Sequence, residues 1–175
     1  MLEAYLQTIS LVERLHRQFL DVVKAELDGL RIRDINNVQS LILFNIGNDD
    51  LTVGELTQRG YYLGSNVSYN VKKMVENGYL EQERSPHDRR SVRVRLTAKG
   101  EALWKRLDTM FRRHVKLVEE GALDMSALGA TSVTLSELER FWMRVIAHAP
   151  RPPEPLIGRP VSPGEAARYF ATVSA

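Results

Sequence analysis

The sequence predicts a mainly α-helical chain carrying one small β-hairpin. Apolar residues recur at spacings of three and four along most of its length, a short central stretch switches to period two, and long amphipathic patterns stand on both sides of that centre. With 175 residues and 43% hydrophobic content, the chain can bury one core of ordinary size and still spare an arm or an interface helix.

Residues 2 to 28 set Leu6, Ile9, Val12, Leu15, Phe19, Val22, Val23 and Leu27 on one helical stripe that Gly29 closes. A helix of this length at a terminus either wraps its own core or meets a second copy, and the second reading is favoured. Another helix starts near Asn36 or Asn37 and runs through Val38, Leu41, Ile42 and Phe44 to Gly47. A third opens on Thr52-Val-Gly-Glu55, a capping box in which the threonine hydroxyl accepts from a free amide and the glutamate reaches back, and it ends near Arg59-Gly60. After a turn holding Tyr61, Tyr62 and Leu63, a fourth helix runs from Gly64 or Ser65 to Asn77, where Asn77-Gly78 makes a left-handed stop.

The period-two stretch comes next. Residues 79 to 84 and 91 to 96 read as strands around a turn of Pro86, His87 and Asp88, and the second arm alternates Val92, Val94 and Leu96 with Arg93 and Arg95. Arg84, Arg89, Arg90, Arg93 and Arg95 outweigh Asp88 on this hairpin. Such an edge can simply discourage strand pairing between molecules. It is equally suited to a phosphate backbone or a narrow minor groove. Three helices followed by a basic two-stranded wing is the order of a winged helix-turn-helix, which favours the second use.

The fourth helix then becomes a candidate recognition helix. Val67, Val71, Met74 and Val75 share the side that should dock inward, while Ser65, Tyr69, Lys72, Lys73 and Glu76 point away. Ser65, Asn66, Ser68 and Tyr69 lie in the first turns, which in such a helix reach base edges, and Lys72 with Lys73 are placed for phosphates. An ordinary solvated helix face is the alternative, and the neighbouring wing argues against it.

From Thr97 to about Glu120, Leu103, Leu107, Met110, His114, Leu117 and Val118 restore helical spacing. A loosely patterned connector through Gly121, Leu123, Met125, Leu128 and Gly129 leads to Thr134-Leu-Ser-Glu137, read as a second capping box that starts a helix with Leu138, Phe141, Trp142, Val145 and Ile146. Pro150 stops it. The proline-rich remainder is an extended arm ending in a short segment with Tyr169 and Phe170, which would serve as a cross-over onto a partner, a lid or a loose arm. The resulting organisation is a dimerisation helix over 1–33, a winged helix-turn-helix over 34–98, dimerisation helices over 99–149 and an extension over 150–175. The apolar positions expected at the interface between copies are Val12, Phe19, Phe141, Trp142 and Val145.

Residues 52 to 100, from Thr-Val-Gly-Glu-Leu through Ser-Asn-Val-Ser to Asp88-Arg89-Arg90-Ser-Val-Arg-Val-Arg-Leu96-Thr97-Ala-Lys-Gly100, resemble the MarR family of winged-helix transcription factors. The Asp-x-Arg wing followed by Leu-Thr is the specific part, and the long helices on either side extend the likeness to roughly residues 5 to 148. The resemblance implies a homodimer on double-stranded DNA, with Arg90 in or beside the minor groove and Asp88 orienting the wing arginines. Tyr69, where many relatives carry a basic residue, and the Tyr61-Tyr62 turn depart from the family pattern, so the operator sequence is not carried over. The aromatic turn, the 64–70 run and the proline-rich tail are most similar to a subgroup that controls L,D-transpeptidase and cell-envelope genes. Family members often bind a small aromatic effector between the dimer helices and the DNA-binding lobe. Here that region would include His16, Phe19, Leu20, Ser40, Leu41, Phe44, Tyr62 and Leu63, although core packing is the better reading for Phe19, Leu41 and Phe44.

Net charge is only +2 despite a pI of about 9.0, so polyanion binding must rest on local basic patches. The chain has no cysteine, which removes disulfides, thiolate metal sites and thiol redox sensing. The four histidines lack ligand spacing, and no phosphate-cradling glycine loop, nucleophile elbow or paired-carboxylate motif is present, so neither a metal, a cofactor nor catalysis is expected. No secretory pattern opens the chain and no apolar run nears the roughly 18 residues a bilayer needs, so the expectation is a soluble cytoplasmic protein with no membrane partner. Together these readings predict a homodimeric, sequence-specific DNA-binding regulator of a pseudo-palindromic operator. The alternative is a winged-helix module that binds protein through the same face.

Overall fold

The computed structural model describes residues 1–47, 49–60, 64–84 and 92–148. They form two compact units, Met1–Ala122 and a second beginning at Leu123. The first contains α1 (Leu2–Gly29), α2 (Asn37–Ile46), β1 (Leu51–Thr52), α3 (Val53–Gly60), α4 (Gly64–Glu76), β2 (Leu80–Arg84), β3 (Val92–Leu96) and α5 (Ala98–Leu117), closed by a π-helical turn over Val118–Ala122; the second holds α6 (Met125–Ala147). No helix among the described residues is long and apolar enough to cross a membrane.

The expected mainly helical fold with its small wing is present, and the caps explain most of the boundaries. Asn36 accepts from the Gln39 amide at 2.8 Å while the Gln39 side chain accepts from the Asn36 amide at 3.1 Å, a reciprocal box that opens α2. Thr52 and Glu55 do the same for α3, at 3.1 and 2.7 Å. Gly78 turns out of α4 with φ +74°, where a side chain would be strained. The wing is a three-stranded antiparallel sheet in the order β1-β3-β2, with Leu80 opposite Leu96, Gln82 opposite Val94 and Leu51 also opposite Val94. The two-residue β1 has no signature in the sequence, because so short a strand shows no periodicity. Val67, Val71 and Met74 of α4 are fully buried with Ile42, Leu43 and Ile46 of α2, Leu56 of α3 and Leu107 and Met110 of α5.

Two expectations at helix ends are corrected. The α1 terminus is not made by glycine: the Arg31 amide donates to the Asp28 carbonyl and the Ile32 amide to the Leu27 carbonyl, each at 3.0 Å, a Schellman closure with Arg31 in the left-handed region at φ +59°. Thr134 does not cap a helix, because α6 already runs through it from Met125. Asp124 is the cap, accepting from the Ser126 and Ala127 amides at 2.8 and 3.4 Å. The Thr134 hydroxyl instead donates back to the Ala130 carbonyl at 3.1 Å, as Thr131, Ser132 and Ser136 do to theirs one turn earlier, so the polar residues that resemble a connector are absorbed into the helix.

The α1–α2 linker is fastened to the base of the wing. Asp34 accepts from the Tyr79 hydroxyl at 2.7 Å and from Lys99 Nζ at 2.5 Å; Lys99 also reaches the Asn77 carbonyl at 2.8 Å and sits 4.1 Å from the centre of the Tyr79 ring. The Lys99 hydrogen bond, then that from Tyr79, holds the Asp34 carboxyl below its ordinary range, while burial and the donation to Asp34 push the Tyr79 hydroxyl up.

Gly100 lies against this junction, and a Cβ there would stand 2.2 Å from the Tyr79 carbonyl oxygen. Gly100→Ala is therefore expected to lower the unfolding free energy by about 1–3 kcal/mol in urea titrations, whereas Gly29→Ala, with nothing within 4 Å of its Cβ, should be neutral to slightly stabilising. Because the Asp34 pKa is depressed on folding, its contribution is present above the ordinary aspartate value and lost as pH falls through the folded value. Asp34→Asn should accordingly lower stability at neutral pH, and the gap from the parent should narrow below about pH 4. With the Lys99 and Asp34 side chains 47% and 49% exposed, solvent screening limits that gap to about 1 kcal/mol.

Candidate nucleic-acid interface

The candidate recognition helix, α4, is aimed by what it buries. With Val67 and Val71 at no more than 1% exposure, Asn66, Ser68, Tyr69 and Lys72 are turned to solvent, and Tyr69 is 62% exposed. Asn70 fixes the rotation about the helix axis: its Nδ2 donates to the Asn66 carbonyl at 2.8 Å and its Oδ1 accepts from Gln39 of α2 at 3.2 Å. Ser65 falls in the first turn. Short polar residues and a phenol thus occupy the N-terminal half of α4, where the helix dipole favours an anion.

The cations divide into free and committed. Lys72 has no ion pair among the described residues. Lys73 bridges to Glu76 at 2.7 Å, which raises the lysine pKa and lowers that of the glutamate, so a phosphate would have to compete for it. On β3, Arg93 pairs through Nε with Asp50 at 2.9 Å and also donates to the Asp50 carbonyl, while Arg95 pairs with Glu81 across the strands at 2.7 Å. Arg93, a DNA contact on the sequence reading, also ties the wing to the loop before β1. Arg59 similarly holds Asp49 at 2.5 Å, so two salt bridges staple this loop beside α3. Arg84 ends β2, and the wing tip with Asp88, Arg89 and Arg90 lies outside the described residues.

The residues expected to line an effector site divide between core packing and surface. Phe44 stacks on Trp104 at 5.4 Å and meets Phe111 at 4.8 Å, and Phe19 stacks on Phe111 at 6.0 Å. Ser40 is fully buried with its hydroxyl donated to the Asn36 carbonyl at 2.9 Å, and the Leu20 carbonyl accepts from Asn37 at 2.9 Å. Leu41 is half-buried in the core and His16 is exposed on α1. Tyr62, Leu63 and the 150–175 extension lie outside the described residues. Two clefts flank the α1–α2 linker, a stretch in which the sequence shows no motif.

Both long terminal helices expose apolar side chains. On α1 these include Leu6, Leu15, Phe19 and Val22, with Val12 half-buried, and on α6 they include Phe141, Met143, Val145 and Ile146, with Trp142 half-buried.

Comparison with known proteins agrees with this geometry. A MarR family model matches residues 33–91. The chain is 36% identical over 141 residues to the exopolysaccharide II synthesis transcriptional activator ExpG of Rhizobium meliloti, a match spanning 81% of this chain and 73% of that one. Among solved structures it is similar in fold to Streptococcus pneumoniae FabT in complex with DNA (TM-score 0.66, 21% identity, 81% of this chain and 99% of that one) and to the S. aureus MepR–DNA complex (TM-score 0.66, 16% identity, 76% and 96%). With residues 33–91 matching the family model and more than a third of aligned residues shared with ExpG, the chain belongs to the MarR family of DNA-binding transcriptional regulators.

Proposed function

We propose that the protein works as a homodimer that reads a pseudo-palindromic operator, with α4 in the major groove and the wing at the minor groove. The observation that carries this reading is the split face of α4: one side fully buried, the other offering Asn66, Ser68, Tyr69 and Lys72 next to the wing sheet. Asn66 and Tyr69 read base edges or thymine methyls, Lys72 holds phosphate, and Arg89 and Arg90 reach the backbone or minor groove from the wing tip. Two neighbours of the same fold were solved on DNA, which supports this use of the surface. A dimer supplies two such faces about one helical turn apart, hence a two-fold operator. The exposed apolar faces of α1 and α6 are the surfaces that a second copy would cover. We place the protein in the cytoplasm, where its operator is, and assign it no catalytic role.

Selection of bound duplexes from a random pool should enrich a symmetric motif, and no enrichment would favour a protein-binding module. On the selected duplex, Lys72→Ala and Arg90→Ala should each weaken binding and flatten the plot of log affinity against log salt by roughly 0.9 for each phosphate no longer neutralised, without changing the preferred motif. An unchanged slope for both variants would remove these residues from the interface.

Association is expected to be coupled to DNA binding. Phe141→Asp or Val145→Asp should shift sedimentation toward monomer and weaken operator binding in step, since a monomer holds one half-site only.

A further inference from the structure

Two side-chain amides join α2 to α4, and their direction is fixed by the backbone. The Asn36 main-chain N–H, which can only donate, hydrogen-bonds to Gln39 Oε1 at 3.1 Å, so Gln39 must present Nε2 to its other side. That nitrogen donates to Asn70 Oδ1 at 3.2 Å, which leaves Asn70 Nδ2 to donate to the Asn66 carbonyl at 2.8 Å. The α2 end of this chain is anchored twice, by the Asn36 side chain on the Gln39 amide and by Asn37 Nδ2 on the Leu20 carbonyl of α1 at 2.9 Å. Gln39 is 7% exposed, and the half-buried Asn70 amide is engaged at both ends, so neither side chain is free to contact DNA.

The apolar part of the same seam brings Val67, Val71 and Met74 into one core cluster with Ile42, Leu43 and Ile46. Apolar packing is non-directional, whereas an amide pair requires its donor and acceptor to be aligned. A buried pair of apolar side chains would fill this seam with no partners to satisfy, so the amides contribute orientation more than stability. Orientation matters at this helix because side-chain tips lie about 5–6 Å from a helix axis, and a turn of about 10° carries them sideways by about 1 Å. That displacement is enough to take a hydrogen bond to a base edge out of its working range. A phosphate contact, which is a charge interaction of longer reach, tolerates it.

We propose, resting on the DNA-binding reading above, that Gln39 and Asn70 are positioning residues for operator recognition: by fixing the rotation of α4 they set the discrimination between the operator and other duplexes while touching neither. The Asn70 amide grips the Asn66 carbonyl, so the constraint acts in the turns that carry Asn66 and Tyr69 and not at the far end of the helix. The pair therefore has a signature opposite to that of the phosphate cations. Lys72 sets overall affinity and salt dependence and leaves the preferred motif alone; the amides set discrimination and leave the salt dependence alone.

Binding of the full chain to the selected duplex and to a scrambled duplex of equal length, over a salt series, reads both quantities. Asn70→Ala and Gln39→Met each cut the link, and each should lower the ratio of operator to scrambled affinity by about tenfold with the salt slope unchanged. The double variant should be about as impaired as either single one, because both remove the same tie. Gln39→Glu should keep the ratio within about threefold of the parent, since the new carboxylate accepts from the Asn36 amide and from a reversed Asn70 amide, which restores the link. Alanine is a favourable helix residue, so Asn70→Ala is expected to fold, and melting temperatures are measured for every variant. A melting temperature that falls while the ratio holds would make the pair merely structural and overturn the proposal. So would a loss in Asn70→Ala that Gln39→Met does not share, which would assign Asn70 to the DNA contacts, or a Gln39→Glu variant no better than Gln39→Met. A parent protein that does not discriminate between duplexes would overturn the operator reading and the positioning role together, whereas a discriminating parent matched by its Asn70→Ala variant overturns the positioning role alone.

Discussion

The junction where α4 ends, β2 begins and α5 starts is the constraint on which the rest of the described fold depends. Gly78 reverses the chain, the Thr97 amide donates to the Tyr79 carbonyl at 3.1 Å, and the Thr97 hydroxyl donates to the Gly78 carbonyl at 2.7 Å while accepting from the Gly100 amide at 3.1 Å. Lys99 and Asp34 then bring the α1–α2 linker to the same spot. One cluster of short hydrogen-bonding side chains thus sets the take-off of the wing, the direction of α5 and the end of α4. Gly100 is the steric counterpart: only a residue without a Cβ allows α5 to approach the Tyr79 carbonyl so closely.

Charge in this protein is allocated more than accumulated. The hairpin looks uniformly cationic in sequence, but Arg93 and Arg95 are committed to Asp50 and Glu81, and Lys73 to Glu76. Each of these pairs is exposed and screened by solvent, so its net contribution to stability is small. Their more telling effect is geometric, because Arg93 pins the sheet to the loop before β1 while Arg95 joins β2 to β3. The cations left for phosphate are then few and local, consistent with a net charge of only +2.

What is legible in the sequence follows from which forces are local. The helix start near Asn36, the capping box at Thr52, the Asn77-Gly78 stop and the strand from Val92 to Leu96 are written within four or five residues, and all four appear as read. The same rule misleads at Thr134, whose Thr-x-x-Glu pattern fits a cap but whose hydroxyl turns back to the preceding turn once Asp124 has started the helix. The Arg31 conformation is hidden because glycine, not arginine, is the residue expected there, and the pairings of Arg93 and Arg95 join residues 43 and 14 positions apart. Of the residues weighed as effector lining, Phe19 and Phe44 stack with Phe111 and Trp104, in keeping with the core-packing reading preferred for both.

The placement of the Asp34 clamp bears on how this fold could be regulated at all. A ligand shifts a conformational equilibrium only through a difference in its affinity for the two states, so an effector site must include an interaction that one state makes and the other breaks. Buried apolar packing such as that of Val67 and Leu107 is a poor candidate, because opening it costs a large share of the folding free energy. The Asp34–Lys99 pair is different: it is half-exposed and weak, and it links the segment leaving α1 to the base of the wing. Breaking it leaves the core intact and removes one of three ties between the linker and the base of the wing, the others running from the Asn77 side-chain amide to the Asp34 carbonyl and from the Tyr79 hydroxyl to the Asp34 carboxylate. It is a tie that a modest binding energy can break without opening the core.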